Sequence, residues 1–61
     1  MRVVCKVNGF NYIEERSEKN SISMIINVNA DTLDDALIGA KNWFENYGYL
    51  FDSVEVLEIQ K

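Results

Sequence analysis

The stretch from Asp31 to Gly48 constrains the fold more than any other part of this sequence. It carries a start signal, a helical repeat and a stop signal. Thr32 is a good N-cap, because its hydroxyl can accept from a free backbone N–H of the first turn. Asp35 follows three residues later, close to a capping box. Asp31, Asp34 and Asp35 place negative charge at the positive end of the helix dipole. Gly48 tolerates the left-handed conformation that ends many helices. The spacing predicts a helix over Leu33 to Tyr47, roughly 22 Å long at 1.5 Å per residue.

Leu33, Ala36, Leu37, Ala40, Phe44 and Tyr47 follow the i, i+3, i+4, i+7 pattern and form the predicted core stripe. Trp43 lies on its flank. Two residues break the pattern. Ile38 falls among polar neighbours, although a single exposed Ile is ordinary. Gly39 sits mid-helix at a cost of about 1 kcal/mol relative to Ala. Gly39 and Trp43 are four apart and share a face. A glycine notch beside a tryptophan would let another chain approach closely.

The flanking segments alternate with the period of a strand. Met1, Val3, Cys5 and Val7 share one face, against Arg2, Val4 and Lys6. Ile22, Met24, Ile26 and Val28 share another, against Ser23, Ile25 and Asn27. Between these runs two readings compete. Asn8-Gly9 is a two-residue hairpin signal, which would add a short strand at Phe10 to Glu14. The alternative is preferred: the first strand continues to about Glu15, and the polar stretch Arg16 to Ser21 makes the turn, with Ser17-Glu18-Lys19-Asn20 as its tip. That long hairpin calls for a bulge at Asn8-Gly9. It would set Tyr12 near Met24 and Phe10 near Ile26 as aromatic–aliphatic pairs. After the helix, Tyr49-Leu50-Phe51 reads as an apolar turn and Ser53 to Gln60 as the last strand. That strand is apolar in both phases, Val54 and Val56 in one, Leu57 and Ile59 in the other. Only one phase can face the helix unless a bulge intervenes.

The expected architecture is a two-layer ββαβ domain of the α+β class spanning residues 1–61. Its antiparallel sheet has order 2-1-3, and one helix packs on one face. The opposite face should be polar. Val4, Ile25 and one phase of the last strand are expected there as an apolar stripe, of the kind that marks an interaction surface. The stems of Arg2 and Lys6 would shield part of it.

Composition excludes several chemistries. The chain of 61 residues has no His and a single Cys, so the usual zinc sites are ruled out. A net charge of −4, with six Lys and Arg, argues against direct nucleic-acid binding. No apolar run approaches the roughly 20 residues that span a bilayer. The lone Cys and the absence of a signal-like start predict a reducing, cytoplasmic setting. Cys5 lies in the core phase and is expected to be an inert small hydrophobe. Glu14-Glu15 and Asp34-Asp35 diverge in direction, so neither is an acid/base couple. Asn8-Gly9 lacks the glycines and Lys of a phosphate loop. No catalytic residue, metal ligand or cofactor site is predicted, and the chain is not expected to be an enzyme.

A chain this short is marginally stable alone, which favours oligomerisation or a partner. The expected function is therefore a small protein–protein interaction module that binds another protein as a homodimer. In size and layout it is similar to single-domain inhibitor proteins of phages and mobile elements, which implies occlusion of a host protein's site. The residues expected to meet a partner are Ile38, Gly39, Trp43, Tyr47 and Tyr49, with Val4 and Ile25 on the sheet. One alternative is an acidic nucleic-acid mimic presenting Asp34, Asp35, Glu45, Asp52, Glu55 and Glu58. Another is a small-ligand-binding domain with its site between helix and sheet.

Overall fold

The computed structural model describes residues 1–11 and 20–61. Its elements are β1 (Arg2–Phe10), β2 (Ser21–Asn29), α1 (Leu33–Asn46) and β3 (Leu50–Gln60). The three strands form one sheet of order β2-β1-β3, antiparallel at both contacts, and α1 packs on all three strands from one side. The expected α+β architecture and strand order are the ones present.

The helix starts and stops where its signals stand. The Thr32 hydroxyl accepts from Asp35 N–H at 3.1 Å. Gly48 has φ of 91°, and its N–H donates to the Glu45 carbonyl at 2.9 Å. Ala36, Ala40 and Phe44 are fully buried against Val3, Cys5, Val7 and Ile26. Small residues at Ala36 and Ala40 bring the helix close to the central strand, and Phe44 fills the space beyond. Burying a side chain of that size is worth about 1.5–3 kcal/mol.

The stripe is shorter than its spacing suggests. Leu37 is half-buried, but Leu33 and Tyr47 are exposed. Tyr47 is the C-cap residue, and its ring packs on Trp43 instead of on the core.

The long hairpin is correct in outline and differs in register. β1 runs straight through Asn8-Gly9, which pair with Ser23 and Ile22. Asn11 N–H then donates to the Asn20 carbonyl at 2.9 Å, continuing the same ladder. No bulge interrupts β1 against β2. Phe10 therefore faces Ser21, not Ile26, which pairs with Cys5. Met24 pairs with Val7. Tyr12, Glu14-Glu15 and most of the predicted turn tip lie outside the described residues.

The reason is Gly9, which is buried on the helix face in phase with Val3, Cys5 and Val7. A β-carbon there would strike the Leu50 carbonyl oxygen and lie 2.6 Å from Phe44 Cε2. The glycine serves packing, not a turn.

On the other side of β1 the ladder with β3 does shift, between Val4/Cys5 and Asn8/Gly9. The extra residues are on β3: Leu57 falls between the partners of Cys5 and Val4, and Asp52 between those of Gly9 and Asn8. The first bulge reconciles the two apolar phases. Val54, Val56 and Ile59 stand opposite Val7, Cys5 and Val3, and so share the helix face. Leu50 and Phe51 belong to this strand and do not form a turn, because their backbones pair with Phe10 and Gly9.

Candidate functional site

The helix places two aromatic rings side by side at its C-terminal end. Trp43 and Tyr47 are one turn apart, with ring centroids at 4.5 Å and planes tilted by 53°. Both stay in solvent, Trp43 at 45% and Tyr47 at 60% exposure. Such a pair gains from edge-to-face contact beyond the area it buries. Ile38, 57% exposed, stands on the outward side of the helix.

Gly39 is placed differently from an open notch. A β-carbon on it would lie 3.2 Å from Val28 Cγ1 of β2. The space it leaves is used within the chain, to seat the helix against the second strand. This contact also orients the helix: the flank bearing Gly39 and Trp43 is the one turned toward β2. The opposite flank is turned toward β3, where Lys41 Nζ sits 5.4 Å from the centre of the Phe51 ring.

Tyr49 is half-buried and packs on Phe44 at 5.3 Å between centroids, so its role is to close the core. Val4 and Ile25 do lie on the sheet face away from the helix. Their surroundings are polar. Val4 faces Asn27 and Glu58, and Ile25 faces Lys6. The last strand adds Ser53, Glu55, Glu58 and Gln60 to this face. A hydrogen-bonded row crosses it, from the Ser23 hydroxyl to Asn8 Oδ1 at 2.7 Å and from Asn8 Nδ2 to Ser53 Oγ at 3.3 Å. The apolar phase of β3 turned to the helix side at its bulge, so no continuous apolar stripe covers the far face.

The carboxylates divide in the same way. Asp34, Asp35 and Glu45 are on the helix layer, whereas Glu55 and Glu58 are on the opposite sheet face. They do not form one row. A surface depression is lined by Met1, Arg2, Asn29, Ala30, Asp31, Gln60 and Lys61. It opens at the end of the sheet, away from the helix–sheet interface, whose centre is filled by apolar side chains. Cys5 is fully buried, and that burial pushes its thiol above the ordinary value of 9.0. A thiol held neutral is a poor nucleophile. Among the described residues, no group of His, Cys, Asp or Glu side chains is arranged to hold a metal ion, and no helix is long and apolar enough to cross a membrane.

Compared with protein-family models, with curated proteins and with solved structures, the chain matches none.

One surface escaped the sequence reading. Val56, Leu57 and Ile59 are exposed along β3, beyond the cover of the helix. As the expected strand order requires, β2 is an open edge among the described residues, with Ile25 exposed to 67%. Ser21–Asn29 carries no charge.

Proposed function

We propose that this chain is a protein-binding module that covers a site on another protein, with Trp43 and Tyr47 at the centre of contact. The observation that carries this reading is the exposed Trp43–Tyr47 pair, whose tilted rings already pack on each other. Interfaces draw much of their energy from a few aromatic anchors. Anchors ordered before binding lose less side-chain freedom when a partner arrives. Ile38 is a separate exposed apolar residue on the outward side of the same helix. The split of the carboxylates between two layers favours this apolar contact over mimicry of a nucleic acid.

The module acts as a homodimer, in the manner of small inhibitor proteins of phages and mobile elements. Its size supports the pairing, since so short a chain gains stability from a second copy. The buried, lone Cys5 accords with a cytoplasmic setting.

The test is capture from host lysate with the immobilised wild-type chain and with a folded Trp43→Ala variant. Wild type is expected to retain a protein that the variant loses. Equal capture by both would remove Trp43 from the interface. Capture that persists at high salt supports an apolar contact, whereas release by salt supports mimicry instead.

A further inference from the structure

We propose that the open edge of β2 seats a second copy of this chain across a two-fold axis at Ile25, joining two sheets into one of six strands. This rests on the reading of the module as a pair and locates where the pair forms.

The backbone sets the direction. Met1 and Ala30 exchange hydrogen bonds, the Met1 ammonium to the Ala30 carbonyl at 2.9 Å and the Ala30 N–H to the Met1 carbonyl at 3.0 Å. In an antiparallel ladder such pairs alternate. Ile22, Met24, Ile26 and Val28 therefore turn their N–H and C=O groups toward β1. Those of Ser23, Ile25, Asn27 and Asn29 point outward, and no described strand lies beyond them.

Among the described residues nothing guards this edge. Sheet edges are normally protected by charge, proline or bulges. Ser21–Asn29 has no charged residue and no proline, and its register against β1 is unbroken. The other edge, β3, has all the protection: two register shifts and the carboxylates of Asp52, Glu55 and Glu58. Among the described residues, one edge is defended against pairing and the other is open.

The occupant follows from the pattern. Read outward from Ile25, β2 is a palindrome of polarity: Met24 against Ile26, Ser23 against Asn27, Ile22 against Val28, Ser21 against Asn29. A two-fold interface requires a surface that complements itself. With the axis at Ile25, Ile25 meets its own copy, and Ser23 exchanges hydrogen bonds with Asn27 of the other chain through groups that already point outward. On the helix side Met24 meets Ile26 and Ile22 meets Val28. Moving the axis to Met24 or Ile26 would set Ile25 against Ser23 or Asn27. Because residues directly opposite share a face, both helices lie on the same side of the joined sheet. Their Gly39–Trp43 flanks, which are turned toward β2, then face each other across the axis. A self-paired β3 would bring carboxylates together instead, and like charges directly opposite are destabilising.

The test combines sedimentation of the purified full chain over a concentration series with hydrogen exchange of individual amides. Wild type is expected to be a dimer in which the outward Ile25 and Asn27 amides are protected along with the inward Met24 and Ile26 amides. Ile25→Lys opposes two ammonium groups at the axis, and Asn27→Pro removes an outward N–H that β1 does not use. Each is expected to weaken dimerisation by about 100-fold or more and to expose the outward amides while Met24 and Ile26 stay protected. Leu57→Lys on β3 is expected to leave the dimer unchanged. A wild-type chain that stays monomeric overturns both this seat and the pair reading. A dimer that persists undiminished in folded Ile25→Lys and Asn27→Pro overturns the seat alone. So does a wild-type dimer whose Ile25 amide exchanges freely, a readout that needs no variant.

Discussion

Phe44 occupies the space that a side chain on Gly9 would need. Its Cε2 lies 2.6 Å from the position of a β-carbon there, and the Leu50 carbonyl closes the remaining gap. The helix, the central strand and the start of the last strand meet at that point. Gly9→Ala forces a backbone shift as well as a ring shift, and is expected to destabilise the fold by about 3 kcal/mol. Urea unfolding measures it, and an unchanged midpoint would refute the packing role of Gly9.

The Cys5 thiol makes stability depend on pH at the alkaline end. Burial raises its folded pKa above 9.0, the value it regains on unfolding. Above 9.0 the unfolded chain loses this proton while the folded chain retains it, so stability falls as pH climbs. Below that value the group contributes no slope. Unfolding curves at a series of alkaline pH values should fall more steeply for wild type than for Cys5→Ala. Parallel slopes for the two proteins would show that the thiol is not held neutral.

The two ends of α1 are stabilised by local groups and should respond modestly. Thr32→Ala removes the acceptor for Asp35 N–H and is expected to cost about 1 kcal/mol. Gly48→Ala places a β-carbon on a residue with φ of 91°, with a similar expected cost of about 1 kcal/mol. Neither change alters the core, so near-ultraviolet circular dichroism should be preserved. Loss of tertiary signal in either variant would mean that the ends do more than cap.

Deletion of Leu57 is expected to be tolerated, with stability changed by less than about 1 kcal/mol, because it removes the residue that has no partner on β1. Val54, Val56 and Ile59 would keep the helix face in an uninterrupted ladder. A deletion in the middle of a strand normally exchanges its faces, so unfolding of this variant would show that the bulge itself is required.

Much of the fold was legible because its signals are local. The cap at Thr32, the stop at Gly48 and the alternation of β1 and β2 each act within a few residues. The candidate site was legible in part. Ile38, Trp43 and Tyr47 are exposed, whereas Tyr49 and Gly39 are engaged by Phe44 and Val28. Those engagements are contacts between distant parts of the chain, and spacing carries no record of them. The apolar stripe expected on the far face failed for a related reason: one bulge turned the apolar residues of β3 to the other side.

The amino-acid pattern by itself determined the helix, the alternating strands and their antiparallel order, since periodicity and caps are properties of consecutive residues. Tertiary structure alone decided three matters. It carried β1 through Asn8-Gly9 without the expected bulge against β2, with Phe44 and the Leu50 backbone filling the space beside Gly9. It chose between the two phases of β3, because pairing with Val3, Cys5 and Val7 selects the residues that can be buried. It turned the backbone groups of Ser23, Ile25, Asn27 and Asn29 outward on β2, because the register with β1 points those of Ile22, Met24, Ile26 and Val28 inward. Each of these depends on which surfaces meet, and that is fixed only when the whole chain packs.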